Sequence, residues 1–363
     1  MSASRLVGQV RVVGAGLLGA SIGLGLRTKG VDVIVYDSSP ANLSLAIDYG
    51  AGRAASDTDA PTLIVVAVPP DVTALVIAAE LERYPEALVT DVASVKLGPL
   101  TQLRALGADL TRYIGSHPLA GRERGGAISA RADLFVGRPW VVAPHEENSK
   151  GQTRIIEDLI HDLQAVPVEM AADEHDDSVA LVSHVPQLIS SLLAKQLLGR
   201  SDAALSLSGQ GLRDTTRIAG SNPELWVQIL GSNAEPVTEV LRRYRDDLDE
   251  LLTILDSPAV PGAKRALAET LAAGNAGAAR IPGKHGQDMR FSRLVVLVDD
   301  VPGELGRLFT EMGEIGVNLE DLRLEHSPGA QVGLAEISVL PEARQGLIAD
   351  LEARGWKIAE AWQ

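Results

Sequence analysis

The sequence predicts an α/β protein in three parts: a doubly wound, mostly parallel sheet, then an all-helical segment, then a small βαββαβ module. Three observations predict this. Up to about residue 165, short β-branched runs alternate with helical stretches, the pattern of strand–helix units that wind into a parallel sheet. From about 173 to 280 strand signals stop and apolar residues recur at helical spacing. After about 290 the elements return in the order strand, helix, strand, strand, helix, strand.

Along the first part, strands are expected at 10–13, 31–37, 63–68, 88–92, 113–115 and 140–143, with helices at 19–29, 71–81 and 152–164 between them. The helical segment opens at 174–198. Pro186 is a kink or break there, because proline lacks an N–H and crowds the preceding turn. Ser221-Asn-Pro-Glu224 reads as a helix start, with a capping side chain, proline in the first turn and glutamate at capping-box spacing. Leu241, Tyr244, Leu248, Leu251, Leu252 and Leu255 follow helical spacing, and such long amphipathic helices suit a homodimer. The Gly-, Ala- and Pro-rich stretch 272–287 reads as a linker. The last module is expected as strand 293–298, helix 304–316, strands 317–325 and 331–339, helix 342–354 and strand 356–362, a ferredoxin-like order. The implied domains are 1–170, 171–280 and 290–363.

Composition narrows the function. A net charge of −15 argues against a nucleic-acid or anionic-membrane surface, which needs a basic stripe. It also means that any anionic substrate must be met by local arginines. The chain has no cysteine, which removes disulfides, thiolate metal sites and cysteine nucleophiles. No apolar run reaches the roughly 18 residues of a membrane helix, and the first residues lack a signal-peptide pattern. A cytoplasmic location is expected.

Val12-Val-Gly-Ala-Gly-Leu-Leu-Gly19 is a GxGxxG loop between a strand and a helix. In that context Gly14 makes the tight turn, Gly16 lets backbone approach a pyrophosphate, and Gly19 lets helix and strand pack closely. The helix start offers unpaired N–H groups to phosphates. Asp37 ends the next strand, where a carboxylate accepts from a ribose 2′-hydroxyl and repels a 2′-phosphate; residues 38–42 hold no Arg or Lys. NAD is therefore expected over NADP. The contacts expected for it are Gly14, Gly16, Leu17, Leu18, Gly19 and Asp37, with Val68 and Pro69 at the end of the third strand. The competing reading, a Gly-rich turn beside a surface aspartate, explains neither the context nor the spacing.

Asp91-Val-Ala-Ser-Val-Lys96 and Gly115-Ser-His-Pro-Leu-Ala-Gly121 close the fourth and fifth strands, at the carboxyl edge where ligands bind in such folds. A single histidine is as often structural as chemical, so His117 alone decides nothing. The set of motifs does more. Gly14–Ser21, Asp91–Lys96, Ser116-His-Pro-Leu-Ala-Gly121, His175-Asp-Asp-Ser-Val-Ala-Leu-Val-Ser-His-Val-Pro186 and Arg213-Asp-Thr-Thr-Arg-Ile-Ala219 resemble the successive motifs of the prephenate dehydrogenase family, in that family's order. The resemblance spans about 14 to 233. It implies that His117 accepts the proton of the substrate's C4 hydroxyl, that Ser94 orients His117, and that Arg217 binds a substrate carboxylate. His184 and Trp226 match further substrate-pocket positions. Gln187 departs from the pattern, standing where many relatives carry a second histidine.

The chemistry agrees with these roles. A neutral imidazole suits a general base near pH 7, and arginine's planar fork suits a carboxylate. Arg213 and Arg217 stand four apart, which on a helix gives them one face. Without the resemblance they read equally as a surface pair. His175 and His184 are nine apart, on opposite sides of an ideal helix, so they lack metal-ligand spacing. Asp176 and Asp177 read as a helix-start acidic cluster, and no metal is expected.

In the last module, Val298-Asp-Asp-Val-Pro-Gly-Glu-Leu305 and Gly316-Val-Asn-Leu319 resemble the ACT domain, an amino-acid-sensing module. The turn at Pro302 and Gly303, together with Asn318, is then expected to hold an aromatic amino-acid effector. The plainer reading is a module that only pairs subunits. For the whole chain the alternatives are an arogenate dehydrogenase and a non-catalytic amino-acid sensor, which would not need Ser94, His117 and Arg217. A β-hydroxyacid-type dehydrogenase would need a catalytic lysine in the helical segment. Lys195, the only lysine between 151 and 263, has no matching motif around it.

Overall fold

A computed structural model describes residues 3–120, 126–281, 291–325 and 332–359. The end of the loop after His117, residues 282–287 of the expected linker, Gln331 and the tail of the last expected strand lie outside the described residues.

The first part runs β1 (Gln9–Val13), α1 (Leu17–Thr28), β2 (Val33–Tyr36), α2 (Pro40–Asp48), β3 (Pro61–Val66), α3 (Thr73–Arg83), β4 (Leu88–Asp91), α4 (Leu97–Leu106), β5 (Tyr113–Pro118), β6 (Pro139–Ala143), α5 (Lys150–Asp162) and β7 (Val166–Glu169). One seven-stranded sheet forms, in the order β2-β1-β3-β4-β5-β6-β7. All neighbours are parallel except β5 and β6. Both faces are covered, so the inner strands are buried on both sides and mostly apolar. On one face Val10, Val12 and Val65 pack with Ile22, Leu26, Trp140, Ile156 and Ile160. On the other, Val13, Ile64 and Val66 pack with Ile77, Leu81, Leu100 and Leu103. Each such buried side chain contributes about 1.5–3 kcal/mol, and together they hold the strand ends in place.

β7 was not expected from the sequence. It carries Pro167 and stands at the sheet edge, where a residue without an N–H is tolerated.

The helical segment comprises α6 (Ala172–Val179), a π-helical stretch (Ala180–His184), α7 (Val185–Lys195), α8 (Asp202–Leu205), α9 (Gln210–Thr216), a 3-10 turn (Arg217–Gly220), α10 (Pro223–Ser232), α11 (Ala234–Asp256) and α12 (Ala263–Ala278). Pro186 stands in the first turn of α7, directly after the widened stretch. Its missing N–H falls where the regular bonding pattern is already interrupted. Asn222 caps α10 by accepting from the Glu224 amide at 2.9 Å. Two expectations change here. Residues 272–278 belong to α12 instead of a linker, because alanine is the strongest helix former and outweighs scattered glycines. Arg213 and Arg217 do not share one helix, because α9 ends at Thr216 and Arg217 opens the 3-10 turn.

The last part runs β8 (Ser292–Asp299), α13 (Glu304–Ile315), β9 (Asp321–Glu325), β10 (Val332–Val339), α14 (Pro341–Ala353) and β11 (Lys357–Ala359). Its antiparallel sheet has the order β11-β8-β10-β9. Leu294, Val296 and Ile337 pack under Leu308, Met312, Leu347 and Leu351. By contact the chain divides into two compact units: Met1–Gly199 with Thr215–Asp246, and Arg200–Asp214 with Asp247–Gln363. Among the described residues no helix is long and apolar enough to cross a membrane.

Candidate active site

The glycine loop turns at the carboxyl end of β1. Gly14 has φ +100°, and a Cβ there would meet the Ala67 carbonyl oxygen at 2.3 Å; on Gly19 it would meet the Gly14 oxygen at 1.9 Å. Both positions are therefore closed to any other residue. A Cβ on Gly16 would meet nothing within 4 Å, so it would project into the space above the loop. Gly16 starts α1 without a side-chain cap, and the first turn holds no acidic residue. Such a cradle of amides fits a pyrophosphate. Leu17 and Leu18 open α1, partly buried, and Val68 and Pro69 follow β3, with Val68 against the loop. Asp37 directly follows β2. Its carboxylate accepts from the Ala15 amide at 2.7 Å and the Ser39 amide at 2.8 Å, so it braces the glycine loop.

β5 runs parallel to β4 with Asp91 opposite Gly115. Ser116, His117 and Pro118 therefore extend past the end of β4, at the same edge as the glycine loop. A buried network fixes this end. Asp91 is paired with the Lys96 ammonium and accepts from the Tyr113 hydroxyl at 2.7 Å. The Ser116 hydroxyl donates to the Asp91 carbonyl at 2.8 Å and accepts from the Trp140 indole at 3.0 Å. Burial pushes the Lys96 ammonium down from its ordinary value, against the pull of Asp91. Burial, reinforced by Asp91, pushes the Tyr113 phenol well up.

His117 Nδ1 lies 2.9 Å from His175 Nε2, and His175 Nδ1 lies 2.7 Å from Asp176 Oδ1. Burial pushes the His117 imidazole well below its ordinary value, and His175, Lys96 and His184 press the same way. His117 is thus held neutral. Ser94 is partly buried on the turn after β4. Among the described residues it makes no hydrogen bond to His117, whose Nδ1 is engaged by His175. The sequence reading missed this pairing. In sequence Asp176 reads, with Asp177, as a helix-start acidic cluster and His175 as lacking metal-ligand spacing, and a contact across 58 residues leaves no local periodicity to read.

His184 ends the π-helical stretch and is buried. Its Nδ1 accepts from the Asn233 amide at 3.1 Å, and the same amide nitrogen donates to the Asp176 carbonyl at 2.8 Å. Burial holds His184 down at about 4, although Asp176 pulls upward. The Trp226 ring meets the His184 ring edge-on at 6.1 Å between centroids. Gln187, also buried, accepts from Ser221 at 3.4 Å. The Arg217 turn packs against α7 and leaves Arg217 exposed. Arg213, also exposed, belongs to the other compact unit. Among the described residues no cluster with metal-binding geometry occurs.

In the C-terminal module a cavity of about 390 Å³ opens at the turn before α13, lined by Asp299, Asp300, Val301, Pro302, Gly303 and Leu324 among others. Asn318 is not on its wall among the described residues; its amide donates to Glu320 at 2.8 Å.

A nucleotide cradle and a neutral imidazole on one edge of a doubly wound sheet meet the two needs of a dinucleotide-dependent dehydrogenase, and the fold and site define that class. Comparison narrows it. The family model described as the nucleotide-binding domain of prephenate dehydrogenase matches residues 22–169, and that described as its dimerization domain matches 171–272. The chain belongs to the prephenate dehydrogenase family. It is 36% identical to the probable prephenate dehydrogenase NovF of Streptomyces niveus, over 95% of this chain and 98% of that one. Among solved structures it resembles the arogenate dehydrogenase of Synechocystis, with 29% identity and a TM-score of 0.61 over 74% of this chain and 99% of that one. It also resembles the prephenate dehydrogenase of A. aeolicus in complex with hydroxyphenyl propionate and NAD+, with 25% identity and a TM-score of 0.65 over 75% and 99%.

Proposed function

We propose that this protein catalyses the NAD-dependent oxidative decarboxylation of prephenate to 4-hydroxyphenylpyruvate. The observation that carries the reading is a neutral His117 at the cofactor edge of the sheet, in a chain of this family. His117 Nε2 takes the proton of the C4 hydroxyl as that carbon becomes a carbonyl. Gly14, Gly16 and Gly19 would hold the pyrophosphate of NAD and Asp37 its ribose, and NAD bound there would accept the hydride that leaves C4. The bond to the ring carboxylate then breaks, CO2 leaves, and its electron pair completes the aromatic ring. The proton returns from the imidazolium to the phenolic oxygen. Arg217 meets the substrate's carboxylates, and Ser94 faces the reacting edge. His184 accepts at Nδ1 and so carries its proton at Nε2, a donor beside Trp226.

The helical segment pairs two copies of the chain. The dimerization-domain match supports this, as does the exposure of Tyr244, Leu248, Leu252 and Leu255 along α11. The βαββαβ module is read as ferredoxin-like and of ACT type, with the cavity at Pro302 and Gly303 taking an aromatic amino acid. Asn318, engaged with Glu320, is a weaker candidate contact than the turn.

The likeness to an arogenate dehydrogenase keeps that substrate as the second reading. Assay of prephenate and arogenate, each with NAD and NADP, decides. The reading predicts the highest kcat/KM for prephenate with NAD. Preference for arogenate moves the assignment to the second reading, and better turnover with NADP removes the role given to Asp37.

A further inference from the structure

His117 has two ring nitrogens, and only one can act as the base. The tautomer is set by what the other nitrogen meets. Asp176 is the fixed point. Its Oδ1 accepts from the amide of Lys96, the N-cap of α4, at 2.7 Å and its Oδ2 from the amide of Leu97, the first residue of α4, at 3.0 Å. Lys96 provides no side-chain cap of its own, so Asp176 caps α4 from 80 residues away. Its own carbonyl is held by Asn233. Carboxylate oxygens that each take a backbone amide serve there as acceptors. His175, fully buried, must therefore donate from Nδ1 to Asp176 Oδ1. In a neutral ring its Nε2 then bears a lone pair, and His117 Nδ1, 2.9 Å away, must carry the hydrogen.

We propose that Asp176 and His175 are positioning residues that lock His117 in the Nδ1–H tautomer, leaving Nε2 as the base, and that share the charge when Nε2 takes the substrate proton. This rests on the reading of His117 as the base. The charged and titratable groups around the pair fit it. From β4 and the turn after it come Asp91 and Lys96, which neutralise each other; Tyr113 lies on β5 itself, and His184 on the π-helical stretch. Asp176 is left as the negative charge that answers an imidazolium on His117.

Two kinds of measurement test this. The first is nitrogen NMR of the wild-type chain labelled on its seven histidines, with His117 and His175 assigned from single variants. Both rings should be Nδ1–H tautomers near neutral pH. A His117 protonated at Nε2 overturns the proposal, whatever the variants do. The second compares His175→Gln and Asp176→Asn. His175→Gln leaves the Asp176 cap on α4 in place, so a purely structural role for Asp176 predicts little change. The proposal predicts that it lowers kcat by about 10- to 1,000-fold, part of what a positioned acid–base group supplies. It also predicts a displaced acid limb of kcat/KM and an unchanged Kd for NAD. Asp176→Asn should show the same shift, with added loss of stability from the cap. Wild-type kcat and acid limb in folded His175→Gln overturn the proposal. Full activity in His117→Asn would instead remove the base assignment, and the two failures are separable because the tautomer is read without turnover.

Discussion

His117 and His184 are both held neutral, chiefly by burial, and this sets the pH behaviour of the site. As the proposed base, His117 works only when unprotonated. With its folded pKa below the ordinary 6.5, activity should persist on acidification past that value, and the acid limb of kcat/KM should lie below it. An acid limb above pH 6.5 would contradict the assigned environment. Stability follows the same sign. A histidine whose folded pKa is depressed binds fewer protons folded than unfolded, so stability is complete above about 6.5 and falls as pH drops toward the folded value. For His184 that window runs from 6.5 to about 4, a loss on the order of 3 kcal/mol. Urea unfolding should show wild type losing ground against His184→Gln across that window. A pH-independent difference would mean that His184 is not held neutral. These residues were only partly legible in the sequence. His117 and His184 stood out in motifs, but their partners His175 and Asn233 are set by tertiary contact, and the π-helical stretch alters the facing an ideal helix assigns to His175 and His184.

Among the elements, the ends of β4 and β5 carry most of the site, and their alignment depends on one buried network. Asp91→Asn leaves the Lys96 ammonium, 1% exposed, without its countercharge. Breaking a buried pair from one side costs about 3–5 kcal/mol, so the midpoint of denaturant unfolding should fall accordingly. An unchanged midpoint would show that Lys96 is already neutral in the folded chain. At the β1–α1 turn, Gly14→Ala places a methyl group against the Ala67 carbonyl in a backbone conformation that alanine avoids. The Kd for NAD should rise at least about tenfold, with strain of roughly 1–3 kcal/mol behind it; unaltered NAD binding would mean that the loop does not hold the pyrophosphate. The GxGxxG spacing made this turn readable, because glycine is demanded by local geometry. β7 was missed because an edge strand carrying a proline has weak propensity, and the helix over 272–278 because glycine there was read as a breaker.

For the whole molecule, alternating strand and helix patterns made the doubly wound sheet legible, and the βαββαβ order of the last module was equally open to reading. What periodicity could not supply was the division into compact units, in which 200–214 groups with the C-terminal residues and 215–246 with the sheet. The chain is acidic and the proposed site gives Arg217 to the anionic substrate, so salt should raise KM for prephenate more in wild type than in Arg217→Ala; equal salt dependence would remove Arg217 from the substrate. On the intact chain, calorimetry with tyrosine, phenylalanine and tryptophan tests the cavity at Pro302 and Gly303. Binding of one of them, lost in Gly303→Val, is expected, and binding of none would leave the module a structural role. The central claim, that His117 is the base of a prephenate dehydrogenase, is tested most directly by single-turnover kinetics of His117→Asn with prephenate and NAD. The account predicts a rate of NADH formation lower by about 100- to 10,000-fold, the range for a positioned acid–base group, with an unchanged Kd for NAD. Near-wild-type single-turnover rates in that variant would contradict it.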